Sequence, residues 1–118
     1  MFRELLSSDK KRKTVINLNS EDFENGLKQD ENAVLIDVRT EMENRMARIP
    51  NSLLIDLMDP DFISKIDELD RSKSYYLYCR SGNRSYTVGN QMIKMGFENV
   101  CHLLPGIIGW KGEIEKDI

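Results

Sequence analysis

The 118 residues are 40% hydrophobic and 31% charged, a composition that excludes a disordered chain and suits one soluble domain, able to bury roughly two-thirds of its unfolded surface without disulfide staples. A net charge of −3 excludes a general electrostatic attraction to nucleic acid or to an anionic membrane. No apolar stretch nears the ~20 residues of a membrane span, and Met1-Phe2-Arg3-Glu4-Leu5-Leu6 holds no apolar run of signal-peptide length, so a cytoplasmic protein is expected.

Residues 1–13 carry Arg3, Lys10, Lys11, Arg12 and Lys13 against Glu4 and Asp9, a local charge of +3 that leaves −6 for the rest. They read as a solvated basic N-terminal extension ahead of one domain over residues 14–118. Residues 14–18 are alternating and β-branched, and predict a strand. Asn19 or Ser20 then offers a helix N-cap, with Glu21, Asp22 and Glu24 where carboxylates favour the helix dipole. Phe23 and Leu27, one turn apart, give that helix an apolar face. Residues 33–38 are almost continuously apolar, as in a strand covered on both faces. Leu53-Leu54-Ile55 is a further short apolar run. Asp59-Pro60 reads as a cap with proline at the first helical position, and Phe62, Ile66 and Leu69 share one helix face.

Residues 75–78 predict the next strand, which ends on Cys79. Residues 80–84 predict a polar loop with Gly82 and Asn83 as turn residues. Residues 85–95 predict a helix with Val88, Met92 and Met95 on one face and Gly96 ending it. Residues 100–104 predict the last strand; Pro105-Gly106 breaks the chain, and Ile107, Ile108 and Trp110 begin a last short helix. Alternation of this kind predicts an α/β domain with a mostly parallel central sheet and helices on both faces.

The chemistry-bearing segment is Tyr78-Cys79-Arg80-Ser81-Gly82-Asn83-Arg84-Ser85. A cysteine at the carboxyl end of a strand, a short loop and a helix start occupy the place where parallel sheets bind ligands. Such a loop turns backbone N–H groups toward one point, and the helix adds unpaired donors. Arg80 and Arg84 add positive charge. Together these features favour the thiolate, so the pKa of Cys79 is expected below the ~8.5 of a free cysteine. The same cradle, Arg80, Ser81, Gly82, Asn83, Arg84 and Ser85, suits an anionic substrate. Two cysteines are too few for a disulfide framework. One histidine and no Cys-x-x-Cys spacing give no pattern for a metal site.

This segment resembles the active-site loop of the rhodanese-like domains, a family of sulfurtransferases. Asp37-Val38-Arg39 before Glu41, Ile49-Pro50, Gly96-Phe97 followed by Val100, and Pro105-Gly106 followed by Trp110 resemble further motifs of that family, in order, over residues 15–110. Ala47-Arg48 stands where the family often has Gly-His, Asn51-Ser52 replaces Gly-Ala, and Pro105 replaces a glycine. The resemblance implies double displacement. The Cys79 thiolate takes a sulfur from a small anionic donor such as thiosulfate, and the persulfide passes it to cyanide, a small thiol or a protein sulfur acceptor, with no metal or organic cofactor. It also makes Asp37 and Arg39 candidates to support the loop, although an ion pair between the two is the first expectation.

Two other classes stay open. Cysteine-dependent phosphatases and arsenate reductases use a similar loop, but Cys79 to Arg84 is Cys-x4-Arg where the phosphatases have Cys-x5-Arg, and a tighter ring suits one sulfur better than a phosphoryl group. A non-catalytic rhodanese-like binding module is the other. Glu41 and Arg45 are expected to form an exposed helical pair. Cys101 is expected in the core, His102 at the surface of its strand, and Trp110 packed on the core.

Overall fold

The computed structural model describes residues 14–118; the basic extension expected over residues 1–13 lies outside them. Five strands form one sheet: β1 (Ile16–Leu18), β2 (Ala33–Asp37), β3 (Leu53–Leu54), β4 (Ser74–Tyr78) and β5 (Val100–Leu103). Their order is β1-β5-β4-β2-β3, and every pairing is parallel. The helices are α1 (Ser20–Gln29), α2 (Glu41–Met46), α3 (Phe62–Asp67) and α4 (Asn83–Lys94), followed by a 3-10 turn at Ile107–Gly109.

The side-chain alternation of the strands divides the core in two. On one face Ile36, Tyr75, Leu77 and Val100 meet Phe62 and Ile66 of α3 and Val88 and Met92 of α4. On the other, Leu35, Tyr76, Tyr78, Cys101 and Leu103 meet Phe23 of α1, with Trp110 packed against them. Phe23 stands edge-on to both Tyr76 and Trp110. Helices thus cover both faces, as the alternating pattern predicts. β4 and β5 have a neighbour on each side as well, and every one of their residues is buried.

Local chemistry sets the boundaries. Asn19 caps α1 by accepting the Asp22 N–H at 2.8 Å. Thr40 and Glu43 form a reciprocal capping box on α2. α3 starts at Phe62 and not at Pro60, because Asp59 Oδ1 accepts the Asp61 N–H at 2.8 Å and its carbonyl accepts the Phe62 N–H at 2.9 Å, adding one turn of chain first. α4 starts at Asn83, two residues before the expected Ser85. Gly82, at φ +101°, makes the left-handed turn, so Asn83 is helical and needs no such freedom. Gly96 ends α4 in the left-handed region while Phe97 N–H closes on the Met92 carbonyl, a Schellman arrangement.

Candidate active site

Cys79 follows the last residue of β4 directly, at the carboxyl end of the sheet, and its residue exposure is 1%. Three backbone N–H groups converge on its sulfur. Gly82 donates at 3.1 Å, Ser85 at 3.3 Å, and Ser81 contributes a third. Ser85 Oγ lies 3.5 Å from Sγ. Burial by itself pushes the thiol pKa up. The hydroxyl of Ser85 and the N–H groups of Ser85, Gly82 and Ser81 outweigh it, so the net direction is down. The expected lowering is therefore present, and backbone and hydroxyl donors lead it where arginine charge was expected to contribute.

The loop keeps its shape because a second segment holds it from behind. The Cys79 carbonyl accepts the Ile107 N–H at 2.9 Å, and the Arg80 carbonyl accepts that of Ile108 at 3.2 Å. Gly82 lies against the backbone of Leu104, and Gly106, at φ +72°, against the backbone of Arg80; a Cβ at either position would overlap a carbonyl oxygen. The Pro105-Gly106 segment is thus the floor of the cysteine loop.

The two arginines differ in position. Arg80 is exposed at the rim. Arg84, in the first turn of α4, places both terminal nitrogens on Glu43 of α2, at 2.8 and 2.9 Å. That contact leads the causes that bring Glu43 down to about 2. Arg84 also feels the Cys79 charge. Ser81 and Gly82 form the turn, and Asn83 opens α4, where its carbonyl accepts the Thr87 hydroxyl.

Asp37 and Arg39 form the expected ion pair, buried and two-pronged. Asp37 Oδ1 accepts from the Arg39 backbone N–H and Nε, and Oδ2 from Arg39 Nη2, Asn44 and the Tyr78 hydroxyl. Arg39 also donates to the Ala47 carbonyl at 2.6 Å. Burial pushes Tyr78 up to about 12, so its hydroxyl stays protonated as a donor. The network joins residues 37–49 to the residue preceding Cys79. It also occupies the carboxylate that the phosphatase reading would need as a general acid.

Two expectations need correction. No ion pair joins Glu41 and Arg45 among the described residues; the carboxylate that pairs on α2 is Glu43, which reaches across to α4. His102 is 1% exposed, because β5 is flanked on both edges and covered on both faces. Its Nδ1 lies 2.8 Å from Ser85 Oγ and its Nε2 2.7 Å from Asn17 Oδ1, so a histidine distant in sequence sits one residue away from Cys79 in space. Arg48, one of the departures from the motif pattern, pairs with Glu115 and Asp117 and ties down the end of the chain. Glu43 was legible from the Thr40-x-x-Glu43 capping spacing. Nothing in the spacing signalled His102. Cys101 and Trp110 lie as expected, Cys101 with no exposed surface.

A model of the rhodanese-like domain matches residues 19–113. The chain belongs to the rhodanese-like domain family. A sulfurtransferase of Allochromatium vinosum is 31% identical over 97 residues, 81% of this chain and 88% of that protein. YrkF of Bacillus subtilis is 30% identical over 108 residues, 92% of this chain, which spans 57% of its length. The crystal structure of a rhodanese-like domain protein from Staphylococcus aureus superposes with a TM-score of 0.74 at 25% identity, covering 86% of this chain and 98% of that one. Family membership, with relatives named sulfurtransferases, supports sulfur transfer as the general class of chemistry. No helix among the described residues is long and apolar enough to cross a membrane.

Proposed function

We propose that this rhodanese-like domain moves sulfane sulfur from a small anionic donor such as thiosulfate to cyanide or a thiol, through a persulfide on Cys79. The observation that carries the reading is the convergence of the Ser81, Gly82 and Ser85 N–H groups on one buried cysteine sulfur. Donors fixed in a water-poor cradle stabilise negative charge without reorganising.

In the first half-reaction the thiolate attacks the outer sulfur of thiosulfate. A bond forms from Cys79 Sγ to that sulfur, the donor S–S bond breaks, and its electron pair leaves with sulfite. The product, Cys79–S–S⁻, carries its charge on the terminal sulfur, where the loop donors face it. In the second half-reaction cyanide attacks that sulfur and leaves as thiocyanate, or a thiolate attacks and leaves as its own persulfide; either returns Cys79 as thiolate. Arg80, exposed at the rim, is the loop cation that draws in the anionic donor. Arg84, held by Glu43, fixes the far end of the loop and adds positive field. Ser81, Gly82, Asn83 and Ser85 form the turn and helix start, and the Asp37–Arg39 pair holds the strand ends in register. A protein thiol is a further acceptor of the same chemistry, reaching the loop at the carboxyl end of β4.

Initial-rate kinetics with thiosulfate and cyanide test this reading. Parallel double-reciprocal lines are expected for a substituted-enzyme intermediate, with no turnover in Cys79→Ser. Turnover of an aryl phosphate without sulfur transfer would instead place the chain with the phosphatases, and neither activity would leave a binding module.

A further inference from the structure

The cysteine cradle continues inward through a polar chain whose far members, His102 and Asn17, take no part in the steps above. It runs from Cys79 Sγ to Ser85 Oγ (3.5 Å), to His102 Nδ1 (2.8 Å), and from His102 Nε2 to Asn17 Oδ1 (2.7 Å). It crosses α4, β5 and β1 and ends at Asn17, which is exposed. Serine has one hydroxyl proton and a neutral imidazole has one N–H, so the directions of these hydrogen bonds are coupled. With the proton on Nε2, the imidazole donates to Asn17 Oδ1 and accepts the Ser85 hydroxyl at Nδ1. Ser85 Oγ is then an acceptor for the Cys79 S–H. With the proton on Nδ1, the imidazole donates to Ser85 Oγ, and the released Ser85 hydroxyl has two acceptors, the Gly82 carbonyl at 3.3 Å and Sγ at 3.5 Å, of which an ionised sulfur is the stronger. Asn17 then turns its amide NH₂ toward Nε2, a rotation its exposure allows.

Burial favours the neutral ring in both arrangements by pushing His102 down to about 4. The other titratable groups near the chain are Tyr86, whose ring lies 5.8 Å from the imidazole, and Arg84 with its Glu43 partner on the Cys79 side.

We infer that His102 is a positioning residue which, through Ser85, turns the hydroxyl toward Cys79 when the sulfur is a thiolate and away when it is a thiol. On ionisation the Cys79 proton passes to Ser85 Oγ, the former Ser85 hydroxyl proton passes to His102 Nδ1, and the Nε2 proton leaves to water beside the exposed Asn17, so one proton leaves the cluster and both the serine and the imidazole end neutral. The whole chain reverses direction with the charge on one sulfur. The inference rests on Cys79 being the nucleophile of the proposed reaction, and its test uses no sulfur donor.

The full chain holds a single histidine, so a long-range proton–nitrogen NMR spectrum of labelled protein contains one imidazole. Cys79 ionisation is followed in the same samples through its ¹³Cβ shift. The proton is expected on Nε2 while Cys79 is a thiol and on Nδ1 once it is a thiolate. Ser85→Ala should abolish the switch and lower the thiolate fraction about ten- to a hundredfold at a pH below the Cys79 pKa, the effect of one hydrogen bond lost to an ionised group. Cys79→Ala should hold the proton on Nε2 throughout. One tautomer across the Cys79 titration, a switch that persists without Cys79, or an unchanged thiolate fraction in Ser85→Ala each overturns the inference. Sulfur uptake without the switch removes the relay and keeps sulfur transfer; the switch without sulfur uptake does the reverse.

Discussion

Arg84 and Glu43 meet fork to fork, Nη1 on Oε1 at 2.8 Å and Nη2 on Oε2 at 2.9 Å, joining the first turn of α4 to α2. Glu43 also accepts the Thr40 N–H within its capping box. One carboxylate therefore ends a helix and anchors the cysteine loop.

That double duty gives an acid-stability prediction. The Arg84 contact, then burial in the opposite sense, then the Thr40 N–H bring Glu43 from its ordinary 4.5 to about 2. A depressed carboxylate stabilises the fold above its unfolded pKa, and that stabilisation is lost as pH falls toward the folded value. Glu43→Gln should cost about 1 kcal/mol near neutrality, since the pair is partly exposed. It should also flatten the stability curve between about pH 4.5 and pH 2. Denaturant melts across that window check both effects.

Arg84→Ala bears on the proposed chemistry directly. It removes positive field near the sulfur and frees the end of the loop. Loss of a charge-assisted contact at a partly desolvated site corresponds to about 1.5–3 kcal/mol, or roughly ten- to a hundredfold in kcat/KM for thiosulfate. Steady-state kinetics beside a melting curve separate this from a folding defect, because the surface half of the pair contributes little to stability. Unchanged kinetics would remove Arg84 from the site.

Gly106→Ala tests the floor beneath the loop. The new Cβ would overlap the Arg80 carbonyl, at a φ of +72° that side chains rarely adopt. Backbone strain of this kind costs on the order of 1–3 kcal/mol. The loss of sulfur transfer should exceed the loss of stability, since the displaced residue adjoins Cys79. A variant with full activity would show that the floor does not set the loop geometry.

Cys101→Ala should leave sulfur transfer near wild type and cost about 1 kcal/mol for the small void. Cys101 packs on the α1 face of the sheet and Cys79 on the α4 face, so the two side chains point apart. Full burial also raises the Cys101 pKa well above that of an ordinary thiol, which opposes nucleophilic use. Activity falling as far as in Cys79→Ala would instead indicate a two-cysteine relay.

Local signals made most of the architecture legible. The apolar run before Val38, the Asn19 cap, the cysteine ending β4 and Gly96 after α4 each depend on neighbours within a few residues, and each lies where its pattern placed it. What stayed hidden depends on contacts across the sheet. His102 reads as an ordinary strand residue until β1 and β4 flank it and Ser85 and Asn17 take its two nitrogens. The role of Gly106 emerges only when Arg80 is folded against it. Arg84 carries a visible charge, but its partner lies 41 positions away. The sequence pattern puts the start of α4 two residues late because Gly82 and Asn83 both look like turn residues, and only the backbone shows that Gly82 alone makes the turn.

Intact mass measurement after incubation with thiosulfate tests the central claim most directly. The protein should gain the mass of one sulfur atom, the gain should map by peptide fragmentation to Cys79, and cyanide or a thiol should remove it. Cys79→Ser should gain nothing, because its hydroxyl is far too weakly acidic to replace the thiolate. A sulfur gain that maps elsewhere, or no gain from thiosulfate or from any other sulfane donor, would contradict a persulfide on Cys79.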